Sequence, residues 1–209
     1  MLSLKTAKIY SLKSASGLTL NTTKTNGLIY SRAKFGENNC IESFFQDVHF
    51  KRSLRFLGVI LDDNLGWRSH MDLVVKRCSQ RLYILRRLKS VTSIEEYFLI
   101  YCGIVRTLLE YACPAFVGLS SLDASRLEKI QRRCLRIKGI CDVPDLSSRR
   151  RSMATSLFVK LRSVDTFLKH LLPNLLPSGR PDIPFCRTSL RRSSFIPAMS
   201  IGASNVYID

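Results

Sequence analysis

The sequence predicts an α+β fold, a small sheet followed by a mainly α-helical bundle. Three observations predict it. The spacing of apolar residues changes near Asn64 from short extended runs to a helical period. Hydrophobic residues make up 45% of the 209 positions, enough to furnish a packed core. Gly, Pro, Asn and Asp punctuate the chain at spacings that fit strands before Asn64 and helices after it.

In chain order, Met1–Ser16 carries Leu2, Leu4, Ile9 and Leu12 among lysines, as an amphipathic helix does, and Gly17 suits its C-terminal cap. Leu18–Asn21 is short and extended, and Gly27–Ser31 is a second strand candidate. Gly36–Asn39 reads as a turn. Val48–Phe50 and Arg55–Leu61 are two further strands, the latter rich in branched and aromatic residues. Asp62-Asp63-Asn64 has turn chemistry.

Helices follow. Met71, Val74, Val75, Cys78, Leu82 and Leu85 fall on one stripe. A second helix starts near Ser93, with Glu96 at capping-box spacing, and carries Phe98, Tyr101, Val105, Leu108 and Leu109 until Pro114 breaks it. A third begins after Ser120 or Ser121, has Asp123 in its first turn and stops at Gly139. A fourth spans about Met153–Leu172, with Leu157, Leu161, Val164, Leu168 and Leu171, and ends at Pro173. Beyond it, five prolines punctuate a Ser- and Arg-rich stretch, expected to be poorly ordered or to dock as loops. These elements divide the chain into 1–64, 65–172 and a 173–209 tail. Tyr97–Leu119 is apolar on average, but Arg106, Glu110 and Pro114 interrupt it, so it reads as a core helix and not a membrane span.

Charge is the loudest global feature. Lys and Arg number 33 against 16 Asp and Glu, a net +17. Such a balance is the footprint of a nucleic-acid binder, with a merely soluble basic protein as the competing reading. On the third helix Leu127, Ile130 and Cys134 share one face, and Lys129, Arg132, Arg133 and Arg136 cluster on the opposite one. Four cations crowded together repel, and a polyanion would stabilise them. A solvated helix face is the alternative. On the first of these helices Arg77 and Arg81 edge the apolar stripe, while Lys76 and Arg87 lie on the far side. Arg86, Arg87 and Lys89 also complement the helix dipole. Arg149–Arg151 and Arg191-Arg192 are basic runs in flexible contexts, suited to phosphate contact or nuclear import.

Catalytic constellations are missing. Asp62-Asp63 and Glu95-Glu96 read as turn and helix-start residues. Two-metal phosphoryl transfer needs carboxylates converging on ions about 4 Å apart, and no convincing pair is present. The three histidines, His49, His70 and His170, make no metal pattern. The seven cysteines are odd in number, widely spaced and free of CxxC pairs, which suggests reduced thiols in a cytoplasmic or nuclear, not secreted, protein.

Six blocks in order over residues 17–139 resemble non-LTR retrotransposon reverse transcriptases. They are Gly17-Leu18-Thr19-Leu20-Asn21 with Lys24-Thr25; Leu54–Asp62 around Phe56-Leu57-Gly58; Leu65-Gly66-Trp67 with His70-Met71; Arg81–Leu88; Val105-Arg106 with Leu109-Glu110-Tyr111 and Pro114; and Leu127–Gly139. Arg191–Pro197 is similar to the family's ending. The resemblance implies the end of an RNA-directed DNA polymerase palm (1–64) and its helical thumb (65–172). Lys24 would assist the pyrophosphate leaving group as a general acid. Phe56, Leu57 and Gly58 would form a primer-grip-like strand. Lys76, Arg77, Arg81, Arg87, Lys129, Arg132, Arg133 and Arg136 would contact the template–primer duplex, RNA or RNA–DNA, through phosphate and sugar. The family's catalytic aspartate pair lies just upstream of a helix like Met1–Ser16. This piece alone is therefore expected to be inactive and to bind no cofactor. Mg2+ is expected only in the complete polymerase, with the missing palm and fingers as partner, and no membrane is involved. Two other expectations compete: a stand-alone basic helical RNA-binding module, and an inactive remnant of a decayed mobile element. Gly66, where the family often has Thr or Ser, and the absence of a tryptophan besides Trp67 are departures from its pattern.

Overall fold

A computed structural model describes residues 25–28, 49–163, 168–177, 182, 185–186 and 192–203. The helix expected at Met1–Ser16, the strand at Leu18–Asn21, the turn at Gly36–Asn39, and Lys24 and Cys40 lie outside the described residues. The architecture is α+β, and the chain divides into two compact units, Met1–Gly66 and Trp67–Asp209.

In the first unit, β1 (Asn26–Gly27) pairs in parallel with β2 (His49–Phe50). The Phe50 ring lies close over Gly27, so a Cβ there would have to displace it. β3 (Ser53–Phe56) and β4 (Val59–Asp62) form an antiparallel ladder with Phe56 opposite Val59 and Ser53 opposite Asp62. The single strand expected over Arg55–Leu61 is thus corrected to a hairpin. Its tip is Leu57-Gly58, with φ of 46° and 86°. Two positive φ values in a two-residue loop are the type I′ arrangement, whose twist matches that of the flanking strands. Leucine is a poor residue for the first of those positions, which is why the run reads as continuous strand. After β4, Leu65 N–H donates to the Asp62 carbonyl at 3.0 Å, and Asn64 Oδ1 accepts from Gly66 N–H at 2.7 Å, an Asx turn.

The second unit is helical. α1 (Arg68–Leu88) buries His70, Met71, Val74, Cys78, Leu82 and Leu85. Trp67, just before it, packs its ring 5.7 Å from that of Phe116. α2 (Ile94–Tyr101) opens on a capping box: Ser93 Oγ accepts from Glu96 N–H at 3.2 Å, and Glu96 Oε2 accepts from Ser93 N–H at 2.8 Å. Such a cap stabilises a helix start by about 1 kcal/mol. A π turn (Cys102–Arg106) then leads into α3 (Thr107–Glu110). The reason lies in the spacing of the core residues. Tyr97, Tyr101, Val105, Leu109 and Cys113 are all buried and recur every four positions. In a regular α-helix that repeat drifts about 40° per step. One wide π turn brings the stripe back toward the core. Pro114 then starts a 3₁₀ turn (Cys113–Phe116), after Ala112 takes the left-handed conformation at φ 55°.

α4 (Ser121–Arg136) is capped by Ser120, whose Oγ accepts from Asp123 N–H at 3.1 Å. It closes at Gly139, φ 70°, with Ile140 N–H donating to the Leu135 carbonyl and Gly139 N–H to the Arg136 carbonyl. That pair of bonds is the Schellman motif. The tyrosines of α2 brace this helix: Tyr97 Oη donates to the Cys134 carbonyl at 2.7 Å, and Tyr101 Oη to Gln131 Oε1 at 2.9 Å.

α5 (Leu146–Ser163) corrects the fourth expected helix. It starts and ends earlier and buries Leu146, Arg150, Ala154 and Phe158, while Leu157 is exposed. Asp145 accepts from Ser148 N–H at 3.0 Å, and Glu128 of α4 accepts from Leu146 N–H at 2.6 Å, which fixes the start. The basic run Arg149–Arg151 therefore lies within a helix and not in the flexible context expected for it. A short 3₁₀ turn (Lys169–Leu171) follows. The tail, expected to be poorly ordered or to dock as loops, contributes α6 (Phe195–Ala203), whose Met199 packs with Ala154 and Phe158 of α5. Gly118 permits this docking, since a Cβ there would run into the Ser193 carbonyl. Among the described residues, no helix is long and apolar enough to cross a membrane.

Candidate nucleic-acid interface

One side of α4 belongs to the core, where Leu127, Ile130, Gln131, Cys134 and Leu135 are buried. The other side exposes Lys129, Arg132, Arg133 and Arg136. These four meet one another at i,i+3 and i,i+4: Lys129 with Arg132 and Arg133, and Arg136 with the same two. Each such like-charge contact destabilises a helix by about 0.2–0.5 kcal/mol. The negative end of the helix dipole offsets part of this for Arg133 and Arg136. No described acid forms an ion pair with any of the four. Burial of the opposite face holds this helix, and no described ion pair uses the charge of these four residues.

α1 packs beside α4 in the same sense. Near their starts, Arg126 of α4 reaches Asp72 of α1 at 2.5 Å and its own Asp123 at 3.0 Å. Farther along, Cys134 of α4 is buried against α1. Burial pushes its thiol up to about 11, and Arg133 of α4 and Arg86 of α1 both pull the other way. Cations of the two helices therefore flank one seam. On α1, Lys76, Arg86 and Arg87 are exposed and Arg77 is half-buried. Arg87 Nη1 donates to Tyr83 Oη at 3.2 Å, and its guanidinium carbon lies 5.9 Å from the ring centroid.

Arg81 is placed differently. Its guanidinium donates to the carbonyl of Ile104, inside the π turn. It ties α1 to the π turn that interrupts the regular backbone ladder. Arg149 donates to both carboxylate oxygens of Glu110, and Arg106 Nε donates to the same carboxylate at 3.3 Å. Arg150 is 3% exposed, and burial lowers the affinity of its guanidinium for a proton. Of that basic run only Arg151 faces solvent. Sequence reasoning gave no role to Tyr83 or to the Arg126 latch. Tyr83 stands four positions before Arg87, the one local signal that the two would meet.

Phe56, Leu57 and Gly58 sit together at the hairpin tip. Phe56 is 57% and Leu57 75% exposed, with Arg55 exposed beside them. Among the described residues, no group of three or more His, Cys, Asp or Glu is placed to hold a metal ion. The six described cysteines are free thiols. Compared with known proteins, the chain matches no family model, no curated protein and no solved structure.

Proposed function

We propose that this chain is the palm-end and thumb portion of a non-LTR retrotransposon RNA-directed DNA polymerase, and that its helical unit grips a template–primer duplex. The single observation that carries this reading is the exposed, unpaired set Lys129, Arg132, Arg133 and Arg136, backed by a buried face on the same helix. A row of cations that weakens its own helix is stabilised when phosphates neutralise it and counterions are released. Lys76, Arg77 and Arg87 of α1 extend the set. The exposed Phe56-Leu57 tip supports the same reading, because apolar side chains beside an arginine suit the sugar faces at a primer end. The complete polymerase would add the palm, fingers and Mg2+, and Lys24 would act there. Such a protein works in the cytoplasm or nucleus.

The test is hybrid-duplex binding by fluorescence anisotropy over a salt series. Arg132→Glu with Arg136→Glu is expected to bind at least about tenfold more weakly near 0.1 M salt, with a slope shallower by roughly two, at unchanged helicity. Equal affinity and an equal slope would remove the assignment. A second reading, a stand-alone basic RNA-binding module, is favoured by one observation: the main core lies wholly within Trp67–Leu146 of the helical unit. A preference for a recessed primer end over a blunt duplex supports the polymerase reading. No preference supports the module.

A further inference from the structure

Tyr83 is the one aromatic side chain on the solvent face of α1, and packing does not explain it. The ring is 60% exposed, on the side of the helix opposite Met71, Cys78, Leu82 and Leu85. Its neighbours one turn away, Ser79, Gln80, Arg86 and Arg87, are all exposed and polar or charged. Left in water, so large an apolar surface contributes nothing to the fold. Its only described partner is Arg87, which hydrogen-bonds the phenol at 3.2 Å and holds its guanidinium 5.9 Å from the ring centroid. The guanidinium lies beside the ring, and more than half of the tyrosine stays bare.

The surroundings define what can cover it. Lys76, Arg86 and Arg87 are exposed on the same helix. The one acid on this face of α1, Asp72, is already engaged by Arg126. Across the seam stand Lys129 and Arg133 of α4. The occupant must therefore be polyanionic and must also present a flat apolar face. Within a duplex the base faces are hidden by stacking, so a bare ring has nothing to stack on there. An unpaired segment offers phosphate and base face together, and aromatic stacking with arginine support is how such strands are held.

We propose that Tyr83 and Arg87 form a stacking site for an unpaired base of single-stranded nucleic acid, with Arg86 and Lys76 contacting the flanking phosphates. The inference rests on the nucleic-acid reading above and goes beyond it, since it assigns the bare ring of α1 to a strand that is not paired. Tyr83 offers the base its ring, and Arg87 stands beside that ring as the supporting cation.

The experiment uses the full chain and two probes at one salt concentration: an unstructured U-rich RNA 20-mer and a blunt RNA–DNA hybrid of the same length. Tyr83→Leu, which keeps apolar bulk but no ring, is expected to bind the 20-mer about tenfold more weakly and the hybrid within about twofold of the unaltered chain. Tyr83→Phe, which keeps the ring, is expected to retain most of the single-strand affinity. A Tyr83→Leu chain with unchanged 20-mer affinity, or with equal losses on both probes, overturns the stacking site. So does an unaltered chain that binds the hybrid but not the 20-mer, and that result leaves the duplex reading standing. Failure of the unaltered chain to bind either probe overturns both. Circular dichroism of Tyr83→Leu checks the fold, and if it is lost, 5-iodouridine photo-crosslinking of the unaltered chain decides, with a crosslink at Tyr83 expected and a crosslink map that omits Tyr83 counting against the site.

Discussion

Glu110 receives Arg149 through both carboxylate oxygens and Arg106 through one, and its side chain is only 12% exposed. Burial alone would raise its pKa. The hydrogen bonds and charges of Arg149 and Arg106 outweigh that, and the carboxyl is held below its ordinary value of 4.5. A carboxylate with a depressed folded pKa adds stability above its unfolded pKa and loses it as pH falls through the folded one. Glu110→Gln should therefore destabilise the helical unit by about 2 kcal/mol at pH 7, allowing for the partial exposure of Arg149. The gap between variant and unaltered chain should shrink once pH drops below about 4.5. Urea unfolding at pH 7 and at pH 3 measures both, and a gap that stays constant would show that Glu110 acts through shape and not charge. The same triad explains why the site was only partly legible. A basic run such as Arg149–Arg151 looks like a phosphate contact until Glu110, 39 positions earlier, is seen to claim Arg149. Arg81 is likewise committed, to the backbone carbonyl of Ile104 in the π turn, 23 positions away. By contrast Lys129, Arg132, Arg133 and Arg136 could be placed on one face by arithmetic, because local helical spacing fixes their direction.

Where a helix was marked by its own cap and its own stripe, the sequence was readable at the level of elements. Ser93 with Glu96, and Ser120 with Gly139, set the ends of helices whose apolar residues keep a helical period. α5 was misplaced because Arg150 occupies a core position of its stripe, so Leu146, Arg150, Ala154 and Phe158 do not read as one apolar face. Its start is fixed by Glu128 from another helix, a contact no local pattern reveals. The β3–β4 hairpin was missed for a related reason: Leu57 adopts a conformation that asparagine or glycine would have advertised. α6 depends on the close approach at Gly118. Gly118→Ala should press against the Ser193 backbone and loosen α6 from Ala154 and Phe158, leaving α1–α4 intact. Hydrogen exchange is expected to rise several-fold in amides of 195–203 and not in those of 71–85. Unchanged protection of 195–203 would mean that the backbone at 193 yields without cost to the docked helix.

At the scale of the molecule, a net charge of +17 is carried by a chain whose two compact units differ in how they are built. The unit Met1–Gly66 is described mainly through two short ladders, and Val59 is its one described buried hydrophobic residue. The unit Trp67–Asp209 holds both core clusters, from Met71 to Leu146 and around Ala154, Phe158 and Met199. Every described capped helix start, the Asp72–Arg126 latch and the Glu110 triad also lie within it. Its 143 residues, 67 to 209 inclusive, fall within the size at which one core sustains a domain, about 50–200 residues. All eight helix cations expected to touch nucleic acid belong to it as well. A fragment beginning at Trp67 should therefore unfold in a single cooperative transition, with helicity close to that of the same residues in the full chain. It should also keep hybrid-duplex affinity within about threefold, because the phosphate contacts that dominate such binding are retained. A broad, non-cooperative melt would show that the core needs the strands before Gly66. A cooperative fragment with affinity reduced a hundredfold would move the principal contact to the first unit, where Arg52, Arg55 and the exposed Phe56-Leu57 tip stand.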